Sequence, residues 1–241
     1  MKYFFKQLIF FLAYIFHPNK DSKVVYYHDV GTVYTDMGTD IDLIKKHVDI
    51  ISQSGFTIVP TIGSRKGEVM ICFDDGWAGI YDYKDFFVAQ KIKPTVFIAV
   101  DLIGKEGYLT KNQIKELKTI GFQFEGHTWS HKDLTSFNRE DLEHELKDSK
   151  KWLENTFSHS FDSICFPKGR FSHQVLKEAK DVGYVHQFSS ISGGFYDLEC
   201  KGIICRLCAQ FSTPREFRWI LNSTSTFYRK ILIKRQVKGE L

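Results

Sequence analysis

Cysteine is scarce in this chain and odd in number. Its 241 residues contain five thiols, at Cys72, Cys165, Cys200, Cys205 and Cys208. That count excludes the disulfide framework that holds small secreted domains together. Cys72 and Cys165 lie in apolar runs, where a thiol behaves as a small hydrophobe. Cys205 and Cys208 form a lone C-x-x-C without the second pair of a zinc knuckle, so they too are read as buried structural thiols. Charge of one sign is also lacking. The net charge is +4, and no basic stripe interleaved with aromatics crosses the middle of the chain, so no nucleic-acid partner is expected. Internal repeats and low-complexity linkers are absent. No apolar run reaches the roughly 20 residues needed to cross a bilayer.

The longest apolar run is at the start. Met1 to Lys6 carries two lysines, and Gln7 to Phe16 is almost wholly apolar. The length suits a signal-peptide core, but no small-x-small cleavage site follows; Ala13 stands alone before His17-Pro18. Residues 1–20 are therefore set apart as a hydrophobic segment in contact with a membrane. An export signal and a first helix packed on the domain are the alternatives. The matching location is membrane-associated or cytoplasmic, with export as the alternative. Residues 21–241 are enough for one sizeable core and too few for two domains. From Pro214 onward seven basic residues (Arg215, Arg218, Arg229, Lys230, Lys234, Arg235 and Lys238) face only Glu216 and Glu240. This excess suits either a solvated final helix or an anionic membrane surface. Aromatics make up 15% of the chain, which fits both a large core and sugar-stacking surfaces.

Along the domain, apolar runs alternate with helical patterns. Strands are predicted at Lys23 to Tyr27, Phe56 to Pro60, Val69 to Phe73, Pro94 to Val100, Phe122 to Glu125, Ser163 to Phe166, Tyr184 to Phe188 and Gly202 to Leu207. Helices are predicted after a cap at Thr39-Asp40, through Tyr83 and Phe87, from Leu109 to Ile120 with Thr110 capping, and from Asn138 to Phe157 with Asn138 capping. Two more are predicted from Ser172 to Val182 and from Pro214. Repeated strand–helix units predict a parallel sheet, and with seven or eight strands a barrel closes more naturally than an open sheet. Barrel enzymes carry their sites on the loops after the strands. His28, Asp74, Asp75, His127 and Pro167 all follow predicted strands.

Two of these strand ends carry chemistry together. Val69-Met70-Ile71-Cys72-Phe73 runs into Asp74-Asp75-Gly76, and about fifty residues later comes His127-Thr128-Trp129-Ser130-His131. Two imidazoles four residues apart can face one way, and one aspartate completes three protein ligands with positions left for water and substrate. A divalent ion so held acidifies water and polarises a carbonyl. Adjacent strand residues point to opposite faces, so one aspartate can bind metal while the other takes a proton. Phe166-Pro167-Lys168-Gly169-Arg170 reads as a tight turn able to aim an amide N–H at an oxyanion.

Cys72-Phe73-Asp74-Asp75-Gly76, His127-Thr128-Trp129-Ser130-His131 and Phe166-Pro167-Lys168-Gly169 resemble, in order and spacing, the first three motifs of the polysaccharide deacetylases, carbohydrate esterase family 4. The resemblance covers roughly Gly67 to Ser190. It implies a distorted (β/α) barrel of seven or eight mostly parallel strands in a single domain, with a metal-dependent removal of acetyl groups from N-acetylated sugars. Asp74 then looks like the general base. Asp75, His127 and His131 look like ligands of one divalent ion, zinc first, with cobalt, nickel and iron also suited. Pro167, Lys168 and Gly169 look like the groove wall, with the Lys168 N–H as an oxyanion donor. The sugar is left open among polymer, lipid-linked and nucleotide-linked forms; the membrane-leaning start and the basic tail favour an envelope glycan containing N-acetylglucosamine or its lipid-linked precursor.

The chain departs from the family pattern at two places. The arginine that opens the third motif and orients the base is replaced by Cys165. The late histidine that serves as general acid has no clean match, and His186 sits in the wrong context. Tyr26-Tyr27-His28-Asp29-Val30 resembles instead the Tyr-His element of the branch that acts on poly-N-acetylglucosamine. There the acid precedes the Asp-Asp motif, which points to His28. Two other readings compete. A non-haem iron oxygenase also uses two histidines and one carboxylate, but it has no need of the second aspartate. A glycan-binding module with a vestigial site draws its support from the missing arginine at Cys165.

Overall fold

The computed structural model describes residues 2–223 and 226–239. Its centre is one parallel sheet of eight strands. They are β1 (Lys23–Tyr27), β2 (Thr57–Ile58), β3 (Glu68–Phe73), β4 (Thr95–Ile98), β5 (Gln123–Gly126), β6 (Ser163–Cys165), β7 (His186–Phe188) and β8 (Leu207–Cys208). The order is β7-β6-β5-β4-β3-β1-β8, with β2 paired to the start of β3. Mostly apolar and aromatic side chains fill β1, β3 and β4, and nearly all of these residues are buried, as expected for strands covered on both faces.

The sheet curls, and one segment meets both of its edges. Ile204 bridges in parallel to Phe188 of β7, and Leu207 pairs with Val25 of β1. Residues 204–208 thus draw the last edge towards the first and give a distorted barrel, as the alternation of strands and helices predicts. The predicted strand from Gly202 narrows to Leu207–Cys208, since between these two pairings the Arg206 N–H donates to Ile191 O at 2.9 Å rather than to a neighbouring strand.

Helices cover the outside. Helix α1 (Lys2–Phe16) is followed by α2 (Ile41–Gln53), α3 (Gly79–Asp82), α4 (Lys84–Ala89) and α5 (Lys111–Thr119). Asp40 caps α2 by accepting from the Asp42 N–H, and Thr110 with Gln113 forms a capping box on α5. The helix predicted through Tyr83 and Phe87 is broken in two at Tyr83. The one predicted from Asn138 to Phe157 is continuous but irregular: α6 (Arg139–Glu143) passes through a π turn (His144–Asp148) into α7 (Ser149–Phe157). Then come α8 (His173–Asp181), α9 (Pro214–Leu221) and α10 (Thr226–Gln236).

The first and last described helices lie against the barrel. Helix α1 packs on α9 through buried Phe10 and Ala13, with the Phe11 and Trp219 rings 5.2 Å apart and Gln7 Nε2 donating to Glu216 Oε1 at 2.9 Å. The apolar segment therefore forms a helix with one side packed on the domain. The basic tail is two helices rather than one, and it is tied down. Arg229 pairs with Asp197, and Val237–Lys238 pairs in parallel with Phe171–Ser172 beside the Pro167 turn. Cys72, Cys165 and Cys205 are buried free thiols, Cys208 is half-buried and Cys200 is exposed.

Candidate active site

The sequence-predicted residues converge at the C-terminal ends of the strands. His28 follows β1, Asp74 and Asp75 follow β3, His127 follows β5, and the Pro167 turn follows β6. The Asp74 N–H donates to Tyr27 O at 3.0 Å, which locks the ends of β1 and β3 side by side. A cavity of about 850 Å³ lies elsewhere, against residues at the starts of strands such as Thr95, Gln123, Ser163 and His186. In a barrel of this kind the chemistry sits at the other end, and the ligand set locates the site better than cavity volume does. His186, exposed at the first position of β7, is on the wrong side to act there.

Asp75, His127 and His131 form one cluster, with a ligand atom from each within 4.8 Å of the others. Asp75 Oδ1 lies 3.2 Å from His127 Nε2 and 3.0 Å from His131 Nε2. That oxygen is buried and has no hydrogen bond among the described residues. A buried carboxylate oxygen facing two imidazole nitrogens, in a set of two nitrogens and one oxygen, fits a divalent transition ion. His127 Nδ1 donates to Cys165 O at 2.6 Å, which fixes the ring with Nε2 turned to the cluster. Trp77 Nε1 donates to Asp75 Oδ2 at 3.2 Å and so orients the carboxylate.

The backbone around the cluster is strained. Asp75 (φ 72°), Thr128 (φ 70°), His131 (φ 58°) and Lys168 (φ 59°) all occupy the left-handed region that side chains disfavour. Gly76 shows why the Asp-Asp motif ends in glycine. Its φ is +77°, and a Cβ there would stand 2.8 Å from Ile98 Cγ2. Gly169 (φ +66°) is similarly constrained, since a Cβ would meet Ser190 Oγ at 2.6 Å. The Pro167–Gly169 turn is therefore a tight wall beside the site; burial disfavours the His131 imidazolium, but the hydrogen bond and charge of Asp75, with Asp74, hold its pKa above the ordinary value against the opposing Lys168 ammonium.

Asp74 has a partner that sequence reasoning did not find. Arg206, with no exposed surface, donates from Nη1 to Asp74 Oδ1 at 2.7 Å and from Nη2 to Oδ2 at 2.8 Å. Its Nε donates to Ser189 O at 2.8 Å, and its guanidinium lies 4.2 Å over the Tyr26 ring. The position vacated at Cys165 is filled from across the barrel, and Arg206 Nη2 also reaches Cys165 Sγ at 3.0 Å. Burial pushes the Asp74 carboxyl up, but the Arg206 charge and hydrogen bonds, with His127 and His28 adding to them, hold it below the ordinary aspartate value. The sequence did contain a signal, because Ile203-Ile204-Cys205-Arg206-Leu207-Cys208 is a strand-like apolar run holding one arginine. A charge in such a run requires a buried partner.

His28 is held by Gln210, whose Oε1 makes a short contact with His28 Nδ1. Nδ1 then carries the proton, and Nε2 is left for the site. Gln210 was also missed, since nothing in its local sequence distinguishes it.

The sequence model of the polysaccharide deacetylase family matches residues 62–186. YxkH of Bacillus subtilis is 34% identical over 119 residues, which is 48% of this chain and 42% of that protein. The poly-beta-1,6-N-acetyl-D-glucosamine N-deacetylase of Staphylococcus aureus is 29% identical over 139 residues, 52% of this chain and 48% of that one. The chain thus spans about half the length of the curated relatives it matches. The structure of Streptococcus pyogenes deacetylase PplD in complex with acetate matches with a TM-score of 0.72 at 20% identity, covering 85% of this chain and 99% of that one. At that identity the likeness establishes a shared fold.

The Arg206–Asp74 pair has a stability signature. A carboxylate with a depressed folded pKa stabilises the fold above its unfolded pKa and loses that contribution as pH falls through the folded value. Arg206→Met should cost about 3–5 kcal/mol at pH 7 by leaving a buried charge unpaired, and the difference from wild type should shrink below about pH 4. Urea unfolding at both pH values checks this; an equal cost at each would rule the ion pair out as the cause.

Proposed function

Because the chain belongs to the polysaccharide deacetylase family, we propose that it is a hydrolase that removes acetyl groups from the nitrogen of an N-acetylated sugar. The observation that carries the reading is the pairing of a metal-ready cluster, Asp75 with His127 and His131, with a second carboxylate beside it that is held ionised. A divalent ion bound there, zinc or else cobalt, nickel or iron, would supply a Lewis acid that acidifies water and polarises the acetyl carbonyl.

The chain's own groups divide the remaining work. Asp74, kept ionised and aimed by Arg206, accepts the proton of the attacking water. His28 presents Nε2 and protonates the departing sugar nitrogen, while Gln210 fixes the ring. The strained turn at Pro167, Lys168 and Gly169 walls the groove, and the Lys168 N–H faces the developing oxyanion. The proposed substrate is an envelope glycan containing N-acetylglucosamine or its lipid-linked precursor, which the named activity of the Staphylococcus aureus relative supports. A vestigial binding module loses its main argument, because the arginine missing at Cys165 is supplied by Arg206.

The test is acetate release from N-acetylglucosamine oligomers by metal-loaded protein, with and without a chelator. Release that the chelator suppresses is expected; release that ignores it would overturn the metal assignment, and none from a wider acetylated-sugar panel would overturn the enzyme. Asp74→Asn should lower turnover by about 10²–10⁴-fold with metal content unchanged. His131→Ala should lose the metal, and full retention would remove it from the ligand set.

We also propose that helix α1 rests on an anionic membrane surface. None of the first 20 residues is acidic, and Lys2, Lys6 and Lys20 are basic. With Phe10 and Ala13 turned to the domain, Leu8, Leu12, Ile15 and Phe16 form an outward stripe 41%, 42%, 48% and 68% exposed. Exposed Arg215, its guanidinium 5.2 Å from the Trp219 ring, flanks the stripe with a cation and an interfacial aromatic. No described helix is long and apolar enough to span a bilayer. The protein should float with phosphatidylglycerol vesicles and less with phosphatidylcholine. The combined Leu12→Gln, Ile15→Gln and Phe16→Gln substitutions should abolish flotation, and undiminished binding would remove α1 as the contact.

A further inference from the structure

The loop that carries both histidines is held by a residue far from any recognised motif. Glu145 is 4% exposed. Its Oε2 accepts from the Trp129 N–H at 3.0 Å and from the Ser130 N–H at 3.0 Å, and its Oε1 accepts from the Ser130 hydroxyl. All three donors lie between His127 and His131, in the stretch where Thr128 and His131 have positive φ. Two adjacent amide N–H groups pointing one way are a small anion-binding concavity, and here the anion is a side chain of the same protein.

The helix bearing Glu145 is shaped at that position. The π turn His144–Asp148 interrupts the α-helix, and the Ser149 N–H reaches back to His144 O. The Ser149 hydroxyl takes over the Glu145 carbonyl at 2.5 Å. Such turns add a residue and re-aim the side chains around them, often beside functional sites. On its other side the loop is held by the turn after β4, with the Val100 N–H donating to Thr128 O at 3.2 Å and the Asp101 N–H to Trp129 O at 2.9 Å. Backbone bonds on one side and Glu145 on the other fix the strained loop, and with it the direction of His131.

We infer that Glu145 is a positioning residue for the metal site, acting through the Trp129 and Ser130 amides to hold His131 in ligand geometry. The inference rests on reading Asp75, His127 and His131 as a metal site. Neighbours that orient metal ligands commonly contribute 10–100-fold in affinity.

Zinc affinity is measured by competition with a chromophoric chelator on the full chain, alongside melting of the metal-free protein. Glu145→Ala should bind zinc about 10–100-fold more weakly. Glu145→Gln keeps one oxygen for the two amides and should recover most of the affinity, and Ser130→Ala, which removes one of three contacts, should lose only part. If Glu145→Ala does not fold, the Gln and Ser130 variants decide: affinities equal to wild type in both would overturn the inference. A lower melting temperature with unchanged affinity would make Glu145 merely structural and also overturn it. Failure of the wild type itself to bind zinc would instead count against the underlying site assignment.

Discussion

One buried ion pair joins the architecture of this protein to its chemistry. Arg206 stands in the segment that meets both edges of the curled sheet, and Asp74 stands at the end of β3 in the sheet's interior. Burying either charge alone would cost several kcal/mol, so each requires the other. The bidentate geometry, the Ser189 carbonyl and the Tyr26 face satisfy the guanidinium on its remaining sides. Closing the barrel therefore delivers the cation that keeps the carboxylate ionised.

The same arrangement explains which residues were legible in the sequence. Asp74, Asp75, His127, His131 and the Pro167 turn were readable because each lies in a short contiguous pattern after an apolar run, and a parallel sheet brings strand ends together whatever lies between them. The strands and the capped helices were readable for the same local reasons, as with Asp40 before α2 and Thr110 before α5. Arg206 was not, because its partner is 132 residues away and the requirement is geometric: a guanidinium within reach of Asp74, from any element. The loss of arginine at Cys165 suggested a gap that the fold fills from the segment before β8. Gln210 and Glu145 escaped for a related reason, since each acts on a motif residue only after folding. The π turn at His144–Asp148 is invisible to helical periodicity, as the pattern on either side remains amphipathic.

Strain concentrates where ligands must converge. Asp75, Thr128, His131 and Lys168 each carry a backbone conformation that costs of order 1 kcal/mol or more, and each is held by bonds within or beside its loop or by a glycine neighbour that leaves room. Trp77 fixes Asp75, Thr128 Oγ1 accepts from the His131 N–H at 3.2 Å, and Gly169 lets the Pro167 turn close against Ser190. A relaxed loop would leave the imidazoles free to turn away from Asp75, so the strained backbone is the means by which three side chains from two strand ends share one point.

The two groups proposed to move protons sit in contrasting surroundings. Asp74 must be ionised to accept a proton, and it is given a full positive charge. His28 must hold a proton and then release it, and its ring is oriented by the neutral amide of Gln210 rather than by a carboxylate. A carboxylate in that place would stabilise the imidazolium and make the proton harder to give up. A neutral acceptor fixes the tautomer without adding charge. The proposed base is thus partnered by a cation and the proposed acid by an amide, each supplied by a residue far away in sequence.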